Sequence, residues 1–177
     1  SLRNTTSVKN RSTTIHSSNA LLSDKLQDYN GGNSNTPNPI YAKATGRLGN
    51  VMFELASSLG IAVKNGRKLA ISPVMEHMLS RVFTLPRKKY FTVSKPKRGT
   101  AKVVNERYGP LVENKMLYNL THRPVELHGF FQSWRYFDII PREHLLDIFA
   151  FSNKTRLKSL TYIDKKRKTL GDNTVFV

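Results

Sequence analysis

The chain of 177 residues carries 29 Lys and Arg against 12 Asp and Glu, a formal net charge of +17, and it has no cysteine. Disulfides, cysteine nucleophiles and thiolate metal centres are thereby excluded, while the charge points to nucleic acid, an anionic membrane surface or a sugar nucleotide as partners to weigh. The length suits one medium domain with a sizeable core, and no apolar run approaches the roughly 20 residues of a membrane span, nor is a signal peptide visible.

Residues 1–39 are rich in Ser, Thr and Asn, hold Tyr29 as their only aromatic, and run through Gly31-Gly32 and Pro37-Asn38-Pro39. Such a composition buries too little apolar surface to offset its ordering entropy, and it predicts a flexible leader. The α/β part is expected over 40–177. Ile40–Ala44 reads as a strand, and Thr45–Asn50 as a glycine turn. The helix expected from near Asn50 has Met52, Leu55, Ala56, Leu59, Ala62 and Val63 on one face, with Gly66 as its stop. Lys68–Ser72 is a second strand, and Pro73 opens a helix whose apolar face is Val74, Met75, Met78, Leu79 and Val82. Tyr90–Val93, Ala101–Val104 and Val125–Phe131 are further strands, the last turning through Gln132–Arg135 into a short helix with Tyr136 and Phe137. Pro141 begins a helix through Phe149, and Asn153–Thr169 forms a basic amphipathic helix with Leu157, Leu160 and Ile163 facing inward. Strands alternating with helices give an α/β layer architecture with a mostly parallel sheet, and no internal repeat is present.

Two places suit chemistry. In Gly46-Arg47-Leu48-Gly49-Asn50 the glycines permit positive φ and close approach to the backbone. The following helix presents unpaired N–H groups, and Arg47 offers a planar fork of donors for phosphate. The alternative is an ordinary strand–helix turn, with Arg47 solvated and Asn50 capping the helix. The spacing matches neither G-x-G-x-x-G nor the Walker pattern. The second place is the end of the Val125 strand, where Gln132 and Ser133 would lie at the ligand crevice of an open sheet. Trp134 and Tyr136 could stack on a sugar. The alternative makes Phe130, Phe131, Trp134 and Phe137 core and Ser133 a helix cap, and for the aromatics that alternative is preferred. His128 has no carboxylate partner identifiable at short range and is read as structural. His77 and His122 are read as solvated, so no histidine is assigned a catalytic role.

The basic residues gather in 87–89, 95–98 and 165–168. Nucleic-acid binding is the third-ranked reading, because no RNP-type motif, zinc-finger spacing or glycine clamp accompanies them. Solvated loops and a solvated helix face are preferred. N-x-[ST] acceptor patterns stand at Asn4, Asn10, Asn119 and Asn153.

Gly46-Arg47-Leu48-Gly49-Asn50-x-Met52-Phe53, followed by Ala56-Ser57, resembles the N-terminal motif of the galactoside α-1,2-fucosyltransferases, G-R-L-G-N-Q-M-F-Q-Y-A-S. His128–Phe137 is similar to the same family's G-Y-F-Q-S-x-x-Y-F segment, and the two occur in the family's order. Val51 stands where the family usually has glutamine. The family's H-x-R-R-G-D motif is absent from the chain; it normally follows a short apolar strand such as Asp172–Val177, so an N-terminal fragment is expected.

The resemblance covers about 40–177 and implies the Rossmann-like N-terminal half of a GT-B-type glycosyltransferase, with the C-terminal donor-binding half absent. It implies metal-independent, inverting transfer of L-fucose from GDP-fucose to the 2-hydroxyl of a galactose-terminated glycan acceptor, with no cofactor. Donor and substrate contacts would fall to Gly46, Arg47, Gly49, Asn50, Gln132 and Ser133, the catalytic base being unknown. It further implies a Golgi-lumenal type II membrane protein, with residues 1–39 as the stem and an anchor upstream. A non-catalytic glycan- or partner-binding half-domain is the alternative.

Overall fold

A computed structural model describes residues 38–106 and 112–170. Five short strands, β1 (Ile40–Ala42), β2 (Leu69–Ile71), β3 (Thr92–Val93), β4 (Lys102–Asn105) and β5 (Val125–His128), form one sheet in the order β3-β2-β1-β5-β4. Every pairing is parallel, with Ile40 opposite Leu69 on one side and Val125 on the other. The helices are α1 (Leu48–Lys64), α2 (Pro73–Ser80), α3 (Arg142–Ile148) and α4 (Asn153–Leu170), with 3-10 turns at Lys115–Tyr118 and Trp134–Tyr136. The chain is α/β, as the alternation of patterns predicts.

Chain direction explains which face of the sheet is covered. The steps β1→β2, β2→β3 and β4→β5 all run the same way across the sheet, so right-handed crossovers place α1, α2 and the Lys115 turn on one face. Ile40, Ala42, Val125 and Leu127 point to that face and join Leu55, Leu59, Met75, Leu79 and Leu117 in the core. The return step β3→β4 must pass over the other face. It is made by the eight residues between Val93 and Lys102, without a helix. The opposite face is correspondingly open: Val103 is 46% exposed, and Tyr41, Glu126 and His128 are half-buried.

α1 is buried on more sides than its apolar stripe predicts, because Glu54, Ser57, Ser58 and Gly60 are also buried. Small residues let neighbours approach. A Cβ on Gly60 would fall 2.0 Å from the Tyr136 carbonyl oxygen, so only glycine fits where the Trp134 turn crosses α1. α2 starts as expected, with Pro73 in its first turn and the Ser72 hydroxyl accepting from the Met75 amide at 3.2 Å. Only Met75 and Leu79 of its apolar set are buried, while Val74 is exposed.

α4 departs from expectation. Leu157 and Leu160 are 64% and 54% exposed rather than inward-facing. The helix is tied to the body at its start, where Thr155 Oγ1 donates to the Val82 carbonyl at 3.0 Å and the Ser152 amide to the same carbonyl at 2.9 Å. The strand expected over 172–177 and the leader up to residue 37 lie outside the described residues. Asn38 and Pro39, assigned to the leader by composition, are instead held against the sheet.

Arg67 holds them. It is 3% exposed, and its guanidinium donates to four backbone carbonyls: Asn38 (2.6 Å), Pro39 (3.1 Å), Thr121 (3.0 Å) and Arg123 (2.9 Å). Burial pulls its pKa below the usual arginine value. The segments leading into β1 and β5 are thus fastened to a residue two positions before β2. Hydrogen bonds from a charged donor contribute about 1.5–3 kcal/mol each, and removal also strands buried acceptors. Arg67→Met is therefore expected to cost at least about 3 kcal/mol in urea unfolding. A loss within experimental error would show that the strand entries are fixed by other contacts.

Candidate functional site

The loops leaving the carboxyl ends of the paired strands β1 and β5 are neighbours, and open α/β sheets bind ligands outside the carboxyl ends of their strands. The β1 loop is the glycine turn. Gly46 has φ +84°, and a Cβ there would lie 2.4 Å from Asn50 Nδ2 and 3.0 Å from Phe130 Cε1. Its requirement is therefore both conformational and steric. Gly49 differs from expectation, since it sits inside α1 without positive φ, and a Cβ there would meet nothing within 4 Å. The fold does not demand a glycine at 49, and its absence of side chain leaves the first helical turn bare on an exposed surface. Gly49→Ala is expected to raise stability by up to about 1 kcal/mol through helix propensity; a destabilised variant in urea titration would reveal a steric need at this position.

α1 begins at Leu48, two residues earlier than the pattern indicates, with Arg47 as N-cap. Asn50 therefore does not cap the helix. Its Oδ1 accepts from Gln132 Nε2 at 2.9 Å, joining two motifs 82 positions apart. Arg47 is exposed and has no capping hydrogen bond. Together with Gly46, Leu48, Met78, Arg81 and Val82 it lines a cavity of about 490 Å³. Arg81, at the end of α2, adds a second guanidinium that sequence reasoning missed. Two arginines beside the amino end of a helix form an arrangement suited to a phosphate or carboxylate.

The β5 loop is under strain. Phe131 has φ +44°, an unfavourable conformation for a side chain of this size, costing roughly 1–3 kcal/mol. Three contacts hold it: the Ser57 hydroxyl donates to the Phe131 carbonyl at 2.6 Å, the Phe131 amide donates to Glu106 Oε2, and the ring is buried. Ser133 is fully buried, and its Oγ has no hydrogen-bond partner among the described residues. It precedes the Trp134 turn without capping it through its side chain. Of the expected pair, Gln132 therefore stands nearer the surface.

The aromatics divide differently from either expectation. Phe131 and Tyr136 are core, and the Tyr136 hydroxyl accepts from the Asn114 amide at 2.9 Å, so Tyr136 is not a sugar platform. Phe130 and Trp134 are exposed, at 42% and 59%, and are not core. Phe130 lies against the Gly46 turn. His128 does have a carboxylate neighbour on the open face, Glu126 Oε2 at 3.0 Å from Nε2. The alternation of strand side chains brings the two together.

Two carboxylates beneath the loops were not foreseen. Glu54 is 1% exposed; its Oε2 accepts from the Thr45 amide at 2.9 Å. Burial pushes its pKa up to about 7, the Thr45 amide opposes this, and Glu106 adds a raising contribution. Burial also raises Glu106, against hydrogen bonds from the Phe131 and Phe130 amides. One oxygen of each carboxyl lacks a hydrogen-bond partner among the described residues. The available signal was that Glu54 is the only charged residue between Leu48 and Val63.

Asn119 and Asn153 are exposed, while Asn4 and Asn10 lie outside the described residues. Among the described residues no three His, Asp or Glu side chains converge as a metal site, and no helix is long and apolar enough to cross a membrane. No protein-family model, curated protein sequence or solved structure matches the chain.

Glu54 titrates near 7 in the folded state against 4.5 ordinarily, so the folded chain holds an extra proton between those values. Stability from this group is present below pH 4.5 and falls as pH rises toward 7. Glu54→Gln keeps an acceptor for the Thr45 amide and removes the titration. The variant's Tm relative to the native chain is expected to rise across that window, and a pH-independent difference would show an ordinary carboxylate.

Proposed function

We propose that this α/β unit supplies the glycine-turn side of an inverting, metal-independent galactoside α-1,2-fucosyltransferase of GT-B type. Transfer would run from GDP-fucose to the 2-hydroxyl of a galactose-terminated acceptor. The observation that carries the reading is the Asn50–Gln132 hydrogen bond, which joins the two motifs of the resemblance at adjacent strand ends. Unrelated coincidences in sequence have no reason to meet in space.

The chemistry needs positive charge for the departing diphosphate and a base for the acceptor hydroxyl. Arg47 and Arg81 would meet the first need from the wall of their shared cavity. Gly46 shapes the turn, and Gly49 leaves the first turn of α1 open to a close approach. No residue is assigned as the base. The H-x-R-R-G-D arginines that the resemblance couples to donor affinity are not among the 177 residues. Golgi residence with an upstream anchor belongs to the same proposal.

A second reading, a glycan-binding unit without transfer, is favoured by Trp134, which is 59% exposed with the Arg135 guanidinium 5.7 Å from its ring centre, since an exposed indole face is a platform for a sugar.

In a protein extended past Val177 through an H-x-R-R-G-D segment, Arg47→Ala is expected to lower fucose transfer about tenfold or more, with unchanged Tm. Unchanged turnover would remove Arg47 from the site. The 177-residue chain alone is expected to release no GDP from GDP-fucose. Trp134 is the sole tryptophan, so its fluorescence during galactoside titration reads the second reading directly: a saturable change without turnover in the extended protein supports it.

A further inference from the structure

The open face of the sheet holds a cavity of about 550 Å³ that shares no lining residue with the Arg47 cavity. Its position follows from strand alternation. Ala42 points into the core, so Lys43 points away from it, and Glu126 likewise lies opposite Val125 and Leu127. Val103 pairs with Glu126 in register and shares its face. The β3→β4 crossover, carrying Lys95, Lys97 and Arg98, passes over this face and closes the cavity from outside.

Four cationic residues line the cavity, Lys43, Lys95, Lys97 and Arg98, against one acidic residue, Glu126. That carboxylate lies 3.0 Å from His128 Nε2. Ser72 and Val74 bring the amino end of α2 to the same wall, where Pro73 has no N–H and Ser72 Oγ caps the Met75 amide, leaving the Val74 amide without an intrahelical partner. Val74, Pro96, Ala101 and Val103 contribute apolar surface. The crossover is shaped locally: Thr100 turns back on Lys97, its amide and hydroxyl donating to the Lys97 carbonyl at 3.0 and 2.7 Å, and Gly99 takes φ +75° between them. The three basic residues are therefore displayed by a defined turn.

We infer that this cavity is a binding site for an organic diphosphate, a second anion site separate from the glycine turn. The volume falls within the range of roughly 300–1,000 Å³ typical of small-molecule sites. The charge balance suits a ligand with at least two negative charges, and the apolar strip suits the ring it carries. Nucleoside diphosphates and diphosphate-linked sugars share this chemistry. The inference goes beyond the proposed transferase reading and does not rest on it.

The test is calorimetric titration of the 177-residue chain with inorganic pyrophosphate, then with GDP and with a sugar diphosphate lacking a base. Lys95→Ala/Arg98→Ala removes two exposed cavity cations, and Lys154→Ala/Lys158→Ala removes the same charge from α4. The cavity variant is expected to weaken pyrophosphate binding by roughly tenfold or more, because direct charge-assisted contacts are lost. The α4 variant is expected to change it by less than about twofold, the scale of screened long-range charge. GDP binding more tightly than pyrophosphate, with the sugar diphosphate no tighter, would name the nucleotide class; the reverse would name the sugar diphosphate. Equal weakening in the α4 variant, unchanged binding in the cavity variant, or no measurable heat with the native chain would each overturn the inference.

Discussion

Arg67 sets the register on which everything else depends. Strands of two to four residues make few ladder hydrogen bonds, and so fix their mutual register weakly on their own. One guanidinium, lying just before β2, reaches the carbonyls that enter β1 and β5. Among the described residues no carboxylate receives this charge; four backbone dipoles do. Aligning the three central strands at their amino ends also aligns their carboxyl ends, and only then do the Gly46 turn and the Phe130 loop stand side by side. The distant clasp and the candidate site are two ends of one constraint.

At the site end, the structure spends stability to hold a shape. Phe131 is forced to positive φ, with Glu106 and Ser57 gripping the peptide groups on either side of its Cα. Glu54 grips the β1 loop in the same fashion through Thr45. The two carboxyls repel each other below a surface carrying Arg47, and one of them titrates near neutrality as a result of burial. Strain concentrated at adjacent loops, each over-determined by buried contacts, is the pattern that preorganised sites share.

The sequence made the architecture legible because the chain is locally consistent. Glycine, proline and serine punctuate its elements where the physics of caps and turns requires, and four of the five strands fall within their expected segments while β4 runs one residue further, to Asn105. What it hid were interactions without a sequence period. Arg67 looks like any surface arginine until the carbonyls of residues 121 and 123 surround it. Gln132 and Asn50 meet only after the sheet orders β1 beside β5. The exposed Leu157 and Leu160 show the opposite failure, since a helical stripe was present without a neighbour to cover it. Trp134 misled for a related reason: aromatic character predicts burial on average, while Gly60 gave the inside position to Tyr136.

The short passage from β3 to β4 has one more consequence. Four strand spacings of about 4.8 Å separate its ends across the sheet, roughly 19 Å, and the steps from Val93 to Lys102 reach at most about 32 Å fully extended, before the arch over the sheet face is counted. Once the Thr100 turn has used part of that length, little slack remains. The two outermost strands are therefore leashed to each other across the sheet's open side. Lengthening this leash would relax the molecule, but trimming it by even a residue or two would pull on both edges at once.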